Sequence, residues 1–297
     1  MTFLTKVFVT LRGVSDHPLY RRNRLRAVIK FCLAQVGARL IPGDVCAPFP
    51  NQTRLIVPPT MIGAPHFIMP GLCEFDTMSF VLHFLRRDDL FVDGGAFIGA
   101  YTVLASGAIQ SRTVAFEPSP SAFDALTRNV CLNDLKDRVT LFNAALGREE
   151  GQMCFTEGLG SENYICSNSA VGNTIKVKVT TLDNALTGLS PTLMKFDVEG
   201  FEREVLAGGS KTLANPLLSA FIIERNRSAN RYGSDEDALH THIRSMSFLP
   251  CAYFPMDRVL RKLSPDDEGN IIYLRDFSYV QQRLREAEPY RFLGHSV

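Results

Sequence analysis

Five acidic side chains recur at one kind of place in this chain, the point where a short apolar run ends. LFVDGG closes on Asp93, TVAFEP on Glu117, LMKFDVEG on Asp197 and Glu199, and LSAFIIERN on Glu224; VTLFNAAL carries the amide Asn143 at the corresponding place. A carboxylate at the end of a buried strand costs free energy unless it is paired or meets a ligand. A row of them can grip hydroxyls, face a cation or accept a proton. The first run leads into Asp93-Gly94-Gly95-Ala96-Phe97-Ile98-Gly99. Small residues there let the backbone approach a ligand, and the N-terminus of the helix behind them attracts negative charge. Glu117 follows Gly95 by 22 residues, the separation at which a second-strand acid grips a ribose diol. The turn is neither G-x-G-x-x-G nor a phosphate loop. Two cofactors fit such a turn and acid, NAD and S-adenosylmethionine. The acid at the head of the turn, the missing dinucleotide fingerprint and a closing strand pair (FLPCAYF, then NIIYLRD) in place of a second nucleotide-binding half favour S-adenosylmethionine.

The elements that must position these residues are legible as an alternation. From residue 90 the predicted strands 90–95, 113–118, 139–146, 192–200 and 218–226 are separated by the helical stretches IGAYTVLASGA, PSAFDALTRNVCLND and FEREVLAGG. The helix DEDALHTHIRSM and the closing strand pair follow. MCFTE and TIKVKVTTL predict a local strand pair within the irregular segment 147–191. This order predicts a parallel α/β sheet covered on both faces, with ligands beyond the carboxyl ends of its strands. Upstream, TRLIVPP (53–59) predicts a strand, and EFDTMSFVLHFLRR predicts a helix with Phe75, Met78, Leu82 and Leu85 on one side.

Composition bounds the function. The chain has 297 residues with 32 Lys plus Arg and 31 Asp plus Glu, a balance that argues against a dedicated nucleic-acid binder. Seven scattered cysteines never form C-x-x-C and six histidines do not cluster, so neither a zinc site, a disulfide framework nor any other metal centre is expected from them. No apolar run approaches the ~18 residues of a membrane span, and no signal peptide is read, so a reducing cytoplasmic setting is expected. Charge is nonetheless uneven. Residues 1–54 hold nine basic side chains against Asp16 and Asp44, a net +7. Within them LYRRNRLRAVIKFCLAQVGARL predicts an amphipathic helix with Leu25, Ile29, Cys32 and Val36 at helical spacing. It could pack on the main domain, meet an acidic partner, or touch an anionic membrane through residues 19–39. The expected organisation is a basic N-terminal helical extension, 1–52, and one catalytic domain, 53–297.

The blocks FVDGGAFIGAYTVLAS (91–106), VAFEPSPSAFDALTRNVCLN (114–133), NAALG (143–147), TTLDNAL (180–186), LMKFDVEGFEREVLAGG (193–209) and FIIERN (221–226) stand in the order and spacing of a known family. By them the sequence resembles the FkbM family of S-adenosylmethionine-dependent methyltransferases. The resemblance implies the class I methyltransferase fold, Rossmann-like, with a seven-stranded, mostly parallel sheet whose last strand is antiparallel. It also implies O-methylation of a hydroxyl on a sugar, glycolipid or other small molecule or natural product. Carried over, Asp93, Gly95, Ala96, Phe97 and Gly99 match the cofactor loop, with Tyr101 and Thr102 on the helix behind it. Glu117 and Pro118 match the ribose-binding strand end, and Asn143 and Ala144 the adenine side. Asp197 is the candidate contact to the cofactor's amino group. One departure stands out: where the family has V-D-V-G-A-N-x-G, this chain has Gly94 for Val and Phe97 for Asn. That departure motivates the alternative of a cofactor-binding but catalytically silent partner protein.

Methyl transfer to an alcohol is an in-line displacement that needs a general base. Asp197, Glu199 and Glu224 are the candidates, with Glu199 first; it could instead be a first-turn acid of the next helix. The same acids with Asn226 could hold a divalent ion. Lys195, two residues before Asp197, shares its strand face and is expected to pair with an acid. Asn163, Tyr164 and Tyr232 are available to meet a sugar in the loops 147–170 and 226–234.

Overall fold

The computed structural model describes residues 17–20, 24–40, 43–58, 61, 67, 72–166, 172–225, 231–232, 236–264, 267 and 269–297. Among the described residues a short 3-10 turn, Pro18–Tyr20, comes first, then a helix, Arg24–Leu40, and an antiparallel hairpin of β1 (Val45–Pro48) and β2 (Arg54–Val57). The alternating region then builds β3 (Leu90–Gly94), β4 (Arg112–Phe116), β5 (Val139–Phe142), β6 (Ala145–Leu146), β7 (Gly151–Thr156), β8 (Ile165–Cys166), β9 (Thr174–Thr180), β10 (Leu193–Phe196), β11 (Ala220–Arg225), β12 (Leu249–Phe254), β13 (Val259–Lys262) and β14 (Gly269–Leu274). The main sheet runs β13-β12-β14-β11-β10-β3-β4-β5. Its centre, β11-β10-β3-β4-β5, is parallel, and β14 enters antiparallel between β11 and β12.

Seven of these eight strands form the expected mixed sheet with an antiparallel last strand, and β13 is an added edge. The closing pair therefore has a different form from FLPCAYF turning into NIIYLRD. β12 first makes a hairpin with β13, and β14 then inserts on its other side. The chain leaves β3 toward β4 and β5 and returns to β10 on the opposite side of β3. The switch point thus lies between β3 and β10, where an open α/β sheet forms a crevice.

Strand periodicity explains the two cores. Phe91, Leu193 and Ile222 point into one cluster, with the helices Phe75–Phe84 and Pro120–Leu132; their neighbours Val92, Met194 and Ile223 point into the other, with Val205 and Ile243. Side chains at successive positions of a strand face opposite sides, so strands covered on both faces read as unbroken apolar runs.

The run 139–146, read as one strand, is divided. β5 stays in the main sheet, the chain turns at Asn143–Ala144, and β6 starts a second sheet of order β6-β9-β7-β8. The MCFTE and TIKVKVTTL segments form its antiparallel pair β7–β9. The β1–β2 hairpin straddles the expected 52/53 boundary. It is held to the main domain by two amides four residues apart, one on the helix Pro120–Leu132 and one at its C-cap. Asn129 bonds the Ile56 N–H and C=O, and Asn133 bonds those of Arg54, at 2.9 and 2.7 Å. Residues 43–52 therefore pack as part of the domain. Among the described residues no helix is long and apolar enough to cross a membrane.

Candidate active site

A cavity opens at the carboxyl ends of β3, β4, β10 and β11, over the switch point. On its β3 side the turn is shaped first by packing. Gly95 has φ 77°, and a Cβ there would lie 2.0 Å from the Asp197 carbonyl oxygen; only glycine fits between the two strand ends. Gly99 has φ 86°, and a Cβ there would meet Leu126 at 2.5 Å. The Gly95 and Ala96 N–H groups both donate to the Phe116 carbonyl, at 3.0 and 2.9 Å. The Phe97 N–H donates to Glu117 Oε2 at 2.8 Å. Phe97 itself sits at φ 52°, a region asparagine enters far more readily than phenylalanine. Its ring lines the cavity and packs against the core.

Asp93 is buried and its Oδ2 accepts from Thr102 Oγ1 at 2.6 Å. Burial pushes its carboxyl up to about 6, against the pull of that hydroxyl and of Lys195. Glu117 is also buried and accepts once at each oxygen, from Phe97 N–H and Ser119 N–H, both at 2.8 Å. Burial raises it to about 7, opposed by those two bonds. Each carboxylate oxygen has a second lone pair, so Glu117 is held rigidly with acceptor capacity to spare.

On the β10 side Lys195 Nζ meets Asp197 Oδ2 at 2.8 Å and lies 4.6 Å from the Tyr101 ring centroid. Burial alone would drive this lysine toward neutrality, but Asp197, Glu74 and Asp93 hold its pKa above the ordinary value. Glu199 follows in the left-handed region at φ 55°. Burial raises its carboxyl to about 7, with repulsion from Asp197 and Glu224 adding to the effect and Arg231 opposing it. Glu199 does not serve the following helix: that helix spans Glu202–Ala207 after Phe201, and Glu202 takes the Gly200 N–H at 3.2 Å. Strain at a non-glycine residue facing a cavity is the kind retained at functional sites.

All three candidate bases, Asp197, Glu199 and Glu224, line the cavity, as do Asp93, Gly95, Ala96, Phe97, Tyr101, Glu117, Pro118 and Ala144. Gly99, Thr102 and Asn143 stand behind it. Thr102 orients Asp93, and the Asn143 amide donates to the Glu117 and Pro118 carbonyls at 2.8 and 3.2 Å, joining the ends of β4 and β5. Of the loop residues expected to meet a sugar, Asn163 lines the cavity, but its amide is occupied by Gly160 and Leu159. The Tyr232 hydroxyl donates to the Ile165 carbonyl at 2.8 Å. Arg231 stacks on the Tyr164 ring at 3.7 Å and donates to the Glu199 carbonyl at 3.1 Å. Asn226 and most of the loop around it lie outside the described residues. Among the described residues no cluster of three His, Cys, Asp or Glu is placed to hold a metal ion.

One cavity residue had no signature in the sequence. Glu74 precedes the helix Phe75–Phe84 but does not cap it with its side chain. Its Oε2 accepts from Tyr101 Oη at 2.6 Å and Asn270 Nδ2 at 3.0 Å, while no donor among the described residues reaches Oε1. An acid at the start of a helix reads as a cap; only the tertiary fold turns this one into the cleft.

A buried pair of carboxylates fits a cationic cofactor. Asp93 and Glu117 are kept partly protonated by burial near neutral pH, and a positive sulfonium and ammonium compensate that desolvation.

Several known proteins are similar to this chain. The family model of the methyltransferase FkbM domain matches residues 93–252, more than half of the chain. Methyltransferase sdnD of Sordaria araneosa is 29% identical over 159 residues, 42% of this chain and 61% of that protein. Hexuronic acid methyltransferase AglP of Haloferax volcanii is 29% identical over 143 residues, 47% and 58% of the two chains. The chain thus spans about three fifths of the length of these curated relatives. A solved structure of methyltransferase FkbM from Methylobacillus flagellatus KT aligns with TM-score 0.44 at 18% identity, covering 64% of this chain and 44% of that one. With the family model covering the switch-point turn and the strand ends that carry Asp93, Glu117, Asp197, Glu199 and Glu224, this chain belongs to the FkbM methyltransferase domain family.

Proposed function

We propose that this chain transfers the methyl group of S-adenosylmethionine to a hydroxyl oxygen of a sugar, glycolipid or other small-molecule acceptor. The observation that carries the reading is Glu199. It is strained, exposed to the cavity and raised to about 7, across the switch point from the two buried acids Asp93 and Glu117.

When bound, the cofactor supplies an activated methyl group on a positively charged sulfur. The chain's residues do the rest. Glu117, fixed by the Phe97 and Ser119 N–H groups, offers its remaining lone pairs to a ribose diol. Asp93, oriented by Thr102, offers negative charge to the cationic end. Lys195 engages Asp197 Oδ2 in an ion pair at 2.8 Å, so that this oxygen is occupied and Glu199 is left to face the acceptor. Glu199 takes the proton of the acceptor hydroxyl as its oxygen becomes bonded to carbon. A base whose pKa lies near the working pH combines an available lone pair with useful basicity. Burial, with repulsion from Asp197 and Glu224 added to it, tunes Glu199 to that range.

The test is methyl incorporation from labelled S-adenosylmethionine into glycan and glycolipid extracts, alongside calorimetric titration with S-adenosylhomocysteine and with NAD as control. Binding of S-adenosylhomocysteine and not NAD, with label appearing as a base-stable ether, is the expected result. Absence of S-adenosylhomocysteine binding overturns the cofactor assignment. Label on nitrogen or carboxylate overturns the hydroxyl assignment.

A further inference from the structure

The helix Arg24–Leu40 holds 17 residues and not one acid. Along it Leu25, Ile29, Leu33 and Val36 are exposed, Leu25 at 71% and Leu33 at 66%, with Cys32 exposed between them. At ~100° per residue these five fall within a stripe roughly 100° wide. Phe31, on the opposite side, packs against the core. The helix is therefore held by one face and presents an aliphatic face outward, so its stripe is not what packs on the domain. Elsewhere among the described residues, Leu189, Leu217 and Tyr279 are exposed but line a cavity shared with Asp88, Asp89, Arg112 and Arg275, so that patch is mixed with charge rather than a continuous aliphatic stripe.

Charge narrows what covers this face. Residues 1–54 carry nine basic and two acidic side chains in a chain whose total is +1. One of the two acids, Asp44, is already paired with Arg128. A continuous aliphatic stripe on an acid-free helix within a segment of net +7 complements a surface that is apolar beneath and anionic on top.

We infer that the helix Arg24–Leu40 is a docking element that lies on an anionic phospholipid surface, its Leu25–Ile29–Leu33–Val36 stripe at the boundary of headgroups and acyl chains. The inference is independent of the cavity and of the reaction proposed there.

The test is co-flotation of the full chain with vesicles of phosphatidylcholine alone or mixed with phosphatidylglycerol. Binding to the mixed vesicles and not the neutral ones is expected, weakening as salt screens the headgroups. The double variant Leu25→Asp/Leu33→Asp is expected to lose about a hundredfold in partitioning, roughly tenfold per leucine. Its thermal melting in the absence of vesicles should match that of the parent, since both side chains are exposed. No flotation with anionic vesicles at low salt overturns the inference, as does a double variant that floats like the parent. A parent that fails to float and elutes as a dimer, with the double variant monomeric, overturns it in favour of a second copy.

Discussion

The two halves of the cavity are built by different means. The β3–β4 half is local. Asp93, Phe97, Thr102 and Glu117 lie within 25 residues of one another, and its hydrogen bonds run between a turn and the adjacent strand end. The β10–β11 half is assembled from distant pieces. Glu74 comes from before the alternating region, Asn270 from its last strand, Glu199 from the end of β10, and Arg231 from a loop beyond β11. A local half can be held rigidly by backbone geometry. A composite half can change its lining without disturbing the sheet, which is where specificity on a shared scaffold resides.

If the halves divide cofactor binding from proton removal, substitutions in them should separate the two. The largest effect is expected at Glu199→Gln. Loss of the base should lower kcat by about 10²–10⁴-fold, with S-adenosylhomocysteine affinity unchanged in calorimetry. A fall in affinity of comparable size would place Glu199 in the cofactor half instead. Glu117→Ala should do the opposite. It removes the ribose acceptor and strands the Phe97 and Ser119 N–H groups. With about 1–3 kcal/mol per unsatisfied buried group, roughly a hundredfold loss of S-adenosylhomocysteine affinity and a lowered Tm are expected. Unchanged affinity would detach Glu117 from the cofactor.

The same division explains what could be read in the sequence. The local half was legible because its chemistry sits in runs: LFVDGG and TVAFEP each end in the acid that faces the cavity. Even there the glycines had a second reason, since Gly95 is required by the Asp197 carbonyl and Gly99 by Leu126. The left-handed backbone at residue 97 could be sensed only through the asparagine that the family carries there. In the composite half Asp197, Glu199 and Glu224 were legible as strand ends. Glu74 and Asn270 were not, because no local pattern marks residues that meet across 196 positions of sequence. The break of 139–146 into two strands was hidden for a related reason: its apolar residues suit both sheets, and the turn between them contains no glycine or proline.

Proton linkage gives an intermediate effect and sharpens the comparison further. Asp93 and Glu117 are raised to about 6 and about 7 by burial. A carboxyl raised in the folded state stabilises it most at low pH, below its unfolded value, and that contribution is lost as pH rises through the folded value. Without ligand, stability should therefore decline between about pH 4 and 7, the interval from the ordinary to the raised values. A cationic ligand selects the ionised forms, so its affinity should rise across the same window, by up to about tenfold per pH unit for each group titrating. The Tm increment produced by S-adenosylhomocysteine, whose ammonium keeps the positive end, should thus be larger at pH 8 than at pH 5.5. An increment that shrinks with pH would mean that the acids bind the cofactor protonated.

The smallest effect is expected at Glu74→Gln. The substitution keeps the side chain's length and one acceptor oxygen toward Tyr101 and Asn270, so the fold should tolerate it. What it removes is the negative charge near Lys195 and, at the cavity wall, the carboxylate oxygen Oε1 that no donor among the described residues reaches. If the composite half receives the acceptor, KM for the methyl-accepting molecule should rise several-fold, the worth of one charge-assisted hydrogen bond at about 1.5–3 kcal/mol less its partial replacement by the amide. Affinity for S-adenosylhomocysteine should stay where it was. Because Glu74 also helps hold Lys195 charged, a drop in kcat with unchanged KM is the informative failure. It would make Glu74 a positioning residue for the Lys195–Asp197 pair and move the acceptor's anchor toward Arg231 and Tyr164.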